Sequence, residues 1–68
     1  MWVDFKKAPN LMIAEMWKEL LENQGVPTML HVEPEHRHLG IGAPHQVLVP
    51  KEKKFIADDV LRETLLLT

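Results

Sequence analysis

A chain of 68 residues forms one domain, spanning 1–68, with a shallow core, because small domains bury a modest share of their surface. Its 46% hydrophobic and 26% charged residues are those of a globule, and no apolar run approaches the ~20 residues needed to span a bilayer. A formal charge of −2 argues against a nucleic-acid partner, since such proteins gather Lys and Arg on one face.

The opening "MWVDFKK" lacks the apolar core of a secretory signal, and the absence of cysteine removes disulfides and thiolate ligands, so a cytoplasmic location is expected, with no membrane partner. The basic residues of "KEKK" (51–54) are interrupted by Glu52 beside a helix start, and read as a solvated face.

In "WVDFK" (2–6) Val3 and Phe5 alternate with Trp2, Asp4 and Lys6, the pattern of a half-buried first strand. Asn10 supplies a side-chain oxygen to cap the helix "LMIAEMWKELLENQ". At about 100° per residue, Ile13, Met16, Trp17, Leu20 and Leu21 gather on one side of it, opposite Glu15, Lys18, Glu19 and Glu22. Gly25 stands where a left-handed residue ends a helix.

"VPTMLHV" (26–32) reads as a second strand, in which Pro27, having no amide donor, suits an edge strand or a strand's first residues. "HQVLV" (45–49) is the third, with Val47 and Val49 opposite Leu48. Pro50 suits the first turn of a second helix, "KEKKFIADDVLRETLLL", whose Ala57, Val60, Leu61 and Thr64 face inward. Phe55 and Leu66 project away from that stripe, and Phe55 is expected against a neighbouring loop.

The resulting fold is α+β: a βαββα chain with a three-stranded sheet in order 1-3-2 and both helices on one face. Crossover handedness is taken to set strand one parallel to strand three, with strand two antiparallel on its other side. The uncovered face then carries Trp2, Met29 and Leu48 among Asp4, Lys6, His31 and Gln46. Self-association, as a homodimer, through Trp2, Met29 and Leu48 is the expected use of this surface.

The run "AEMWKELLENQGVPTML", followed after a loop by "VLVPKEKKFIADDVL", resembles a small bacterial family of prokaryotic signal-transducing proteins whose fold is similar to that of the PII regulators. The shared features are Leu-Leu-Glu before Gly25-Val26-Pro27, a strand ending in Val49-Pro50, and a helix packing through Ala57 and Leu61. The resemblance implies a half-length ferredoxin-like domain with a ligand-responsive, regulatory role.

Histidines 31, 36, 38 and 45 make the stretch that runs from the second strand to the third the pH-responsive part of the chain. Their protonation would carry the formal charge from −2 to +2. Imidazole suits zinc, copper or nickel, and in extended backbone His36 and His38 point the same way. His31 and His45 fall on opposite sheet faces by parity, so Glu35 or Glu33 is needed to complete a set with His36 and His38. Gly40 and Gly42 in "GIGAP" leave backbone N–H groups open to an anion, which makes this loop, with His36 and His38, the first place to seek a small-molecule ligand.

Enzyme chemistry has little to stand on. There is neither cysteine nor serine, and Asp58 and Asp59 diverge by about 100° on a helix, too far for a paired acid and base. The reading is therefore a non-enzymatic regulatory domain, without a cofactor, that binds a small ligand or a protein. Histidine-dependent metal binding stands second.

Overall fold

The computed structural model describes the backbone of residues 1–66 and the side chains of residues 1–64. In chain order it contains β1 (Trp2–Ala8), α1 (Leu11–Asn23), β2 (Met29–His31), a 3₁₀ segment (Pro34–Gly42), β3 (His45–Pro50), a 3₁₀ turn (Lys51–Lys53) and α2 (Lys54–Leu66). Position 67 of the expected second helix and the side chain of Leu66 lie outside the described residues.

The sheet has the order β1-β3-β2. Both neighbours of β3 run antiparallel to it, which corrects the expected parallel pairing of β1 with β3. The strands joined by a helical crossover are β1 and β2, so these two share a direction. The 3₁₀ segment reverses the chain and inserts β3 between them, a split βαβ arrangement.

α1 begins where Asn10 Oδ1 accepts a hydrogen bond from the Ile13 amide at 2.9 Å, satisfying one of the orphan donors of the first turn. It ends in paired reversal bonds: Gly25 N donates to Glu22 O at 3.0 Å and Val26 N to Leu21 O at 2.9 Å. Gly25 has φ 81°, the left-handed geometry this motif requires. Val26 is thereby tucked into the core.

That core comprises Ala8, Ala14, Leu21, Val26, Val47, Val49, Ala57 and Leu61. Val47 and Val49 share one side of β3, and residues of both helices meet them there. Both helices thus cover the same face of the sheet. Trp17, Ile13, Leu20, Ile56 and Val60 pack around the margin.

Four expectations need correction. Met16 is 46% exposed, and Phe55 is 68% exposed rather than packed on a loop. The second strand is confined to Met29–His31, although Val26 and Thr28 still bury. In β1, a register shift between Asp4 and Lys6 sets two residues against one: Asp4 pairs with Leu48, and Lys6 with Val47. This β-bulge at Phe5 turns Lys6 to the helix-covered side and puts Lys7, opposite Gln46, on the bare side.

Candidate functional site

The bare face is laid out in three cross-strand rows, since antiparallel partners point to the same side. Trp2 faces Pro50 in the first; Asp4, Leu48 and Met29 form the second; Lys7, Gln46 and His31 form the third. Trp2 is 43% exposed and Met29 48%, and Leu48 between the outer strands is half-buried. One end of the face is apolar and the other polar. Gln46 Nε2 donates to Lys6 O at 3.4 Å.

Trp2, Met29 and Leu48 therefore stand together as the alternation predicted. Pro50 joins them, two residues beyond Leu48 on the same strand, and that spacing was the signal for it. Lys7 in place of Lys6 had no such signal, because nothing in "DFKK" marks a bulge.

The histidine segment takes another form. Pro34–Gly42 is 3₁₀ helix with a kink at Gly40, where successive side chains turn by about 120°. His36 and His38 consequently diverge by about 120° instead of sharing a side, while Glu35 and His38, three residues apart, are eclipsed. The proposed trio of His36, His38 and Glu35 does not converge. Among the described residues no group of three His, Cys, Asp or Glu side chains is placed to hold a metal ion.

His31 lies on the bare face opposite Gln46, and His45 lies opposite Ala8 on the covered face, as parity requires. His45 Nδ1 is 2.7 Å from Ala43 O; a carbonyl only accepts, so Nδ1 carries the proton in this bond. His36 Nδ1 is enclosed without a hydrogen-bond partner.

The two glycines also part company. Gly40 adopts φ 61° and ψ −131°, a conformation that belongs almost wholly to glycine. Gly42 lines a shallow groove of about 290 Å³ with Asn10, Met12, Ile13 and Ile41. That groove is mainly apolar, so Gly42 borders a place for hydrocarbon more than for an anion. A second groove of about 450 Å³ runs between the helices past Leu20, Ile56 and Val60, rimmed by Asp59 and Glu63.

Together these features define a small α+β domain, compatible with half of a ferredoxin-like fold, that leaves one sheet face uncovered. No protein-family profile, curated protein or solved structure matches the chain. No helix among the described residues is long and apolar enough to cross a membrane.

Proposed function

We propose that this chain is a non-enzymatic regulatory binding domain of the cytoplasm, which recognises a protein partner or small ligand on its bare sheet face. The observation that carries the reading is the contiguous apolar end of that face, where Trp2, Pro50, Leu48 and Met29 stand exposed or half-buried on three adjacent strands. An aromatic ring and a methionine flanking the central-strand Leu48 on an uncovered surface are the residue types that anchor contacts, the first through area and the second through adaptability. The likeness of "LLENQGVP" and "VLVPKEKKFIADDVL" to signal-transducing proteins supports the same role.

The test compares the native chain with a Trp2→Glu, Leu48→Glu double variant. Both substituted side chains leave the core untouched, so the variant should fold with an unchanged far-UV spectrum. Mass spectrometry of co-purifying molecules should find a species held by the native chain and absent from the variant. Equal recovery from both proteins would remove the bare face as the binding surface.

A further inference from the structure

We propose that two copies of this chain pair in solution through the outer edges of their β1 strands, antiparallel about a two-fold axis, with Asp4 of each copy opposite Lys7 of the other. The contact uses the sheet's edge and not its bare face, so it stands apart from the function proposed above.

β1 is the longest strand, seven residues from Trp2 to Ala8, and it ends the sheet: among the described residues β3 is its one hydrogen-bonded neighbour. Its far side presents a row of unpaired backbone donors and acceptors, the template on which another strand adds. The opposite edge is much less receptive, since β2 has three residues and follows Pro27. A two-fold axis applies one register to both copies, so the sequence of β1 must complement its own reverse.

It does so when positions summing to eleven face each other. Asp4 then meets Lys7, Phe5 meets Lys6, and Val3 meets Ala8, each pair occurring twice. The bulge is what makes this register work. In a regular strand, residues 4 and 7 would point to opposite faces; the shift at Phe5 puts Asp4 and Lys7 both on the bare face, opposite Leu48 and Gln46. Val3 and Ala8, opposite Val49 and His45, both point to the covered face.

The two bulges face one another at the axis, so neither strand gains a residue on the other. Lys6 Nζ lies 5.6 Å from the centroid of its own chain's Phe5 ring, and the same register brings Lys6 across from Phe5 of the second copy, a cation opposite an aromatic ring. Asp4 and Lys7 are exposed in the single chain, with their charges free to meet across the axis. A six-stranded sheet results, with a continuous bare face.

Lysines and a bulge also guard edges against pairing, and charge reversal separates the two roles. Sedimentation velocity is run on the full chain from micromolar to sub-millimolar concentration, with circular dichroism confirming the fold of each variant. The native chain should dimerise. Asp4→Lys alone sets like charges against Lys7 twice, and Lys7→Asp does the same against Asp4, so each should dimerise at least about tenfold more weakly. Mixing the two single variants restores both attractive pairs, and heterodimers should form with near-native affinity.

A monomeric native chain overturns the proposal. So does a dimer whose affinity is unmoved by either reversal, or a pair of weakened variants that fails to recover on mixing. A dimer abolished by Leu48→Glu but indifferent to both charge changes would place the contact on the bare face instead, and overturn it equally.

Discussion

Leu21→Ala and Met16→Ala separate two side chains that the amphipathic pattern of α1 puts on the same stripe. Leu21 is fully buried in the core cluster, whereas Met16 is 46% exposed. Truncating a fully buried leucine costs about 2–5 kcal/mol, the transfer energy of the lost carbons plus the cavity they leave. A domain of 68 residues has roughly 3–10 kcal/mol of stability in total. Leu21→Ala should therefore remove about a fifth of it at the least, and it leaves a chain at the lower end of that range close to its folding threshold.

At roughly 4–8 °C per kcal/mol for this size, a loss near 3 kcal/mol lowers Tm by about 12–24 °C. Met16→Ala should change stability by no more than about 1 kcal/mol, because the side chain surrenders little burial and alanine is the better helix former. Urea titration followed by far-UV circular dichroism gives both values, and unchanged slopes show that the same surface unfolds. Equal losses from the two substitutions would refute the placement of the buried stripe.

Removing the cap with Asn10→Ala should cost about 1 kcal/mol, read as a downward shift of the urea midpoint; no shift would mean the 2.9 Å bond to Ile13 N contributes nothing. Gly40→Ala should cost about 1–3 kcal/mol because of its positive φ. Gly42→Ala, with ordinary φ and no atom within 4 Å of an added Cβ, should be neutral within about 0.5 kcal/mol, and reversal of that order in thermal melts would contradict the loop geometry. Micromolar zinc should leave the imidazole NMR signals in place, since His36, His38 and Glu35 do not converge. Saturable shifts of both histidines would show that the loop can rearrange into a site.

The sequence shows its elements more readily than their mutual geometry. Asn10, Gly25 and the alternation of Val47 and Val49 act through local chemistry, and each does in the fold what its residue type dictates. The centre of the buried helix face was harder to read because it is marked by alanine. On a 100° wheel Leu21 lies about 20° from Ala14 and Trp17 about 60°, while Met16 lies about 160° away. Large side chains drew the stripe toward themselves, and the small residue beside the sheet, Ala14, is the one that allows close approach.

The direction of β3 departs from the expectation because the handedness rule applies to the pair joined by the helix, here β1 and β2, which are not adjacent. Phe5 as a bulge, and 3₁₀ structure in "PEHRHLGIG", depend on register and reversal that no single residue announces. Both affect the candidate site directly. The first exchanges Lys6 for Lys7 on the bare face, and the second separates the histidines.

The strand layout also bears on what kind of molecule the bare face suits. Its apolar end is at Trp2 and Pro50, while the 3₁₀ segment joins the sheet at His31 and His45. Five residue steps from His45 to Pro50 at about 3.3 Å each put these places about 17 Å apart, longer than most small metabolites can bridge. A compact ligand held at the 34–42 segment should shift His36 and His38 signals while the Trp2 indole N–H resonance stays in place. A protein laid over the sheet can cover all three rows, and should move Trp2, Met29 and His31 together. Trp2 and His36 responding in parallel to one small molecule would refute this separation, because a rigid sheet gives them no shared binding volume.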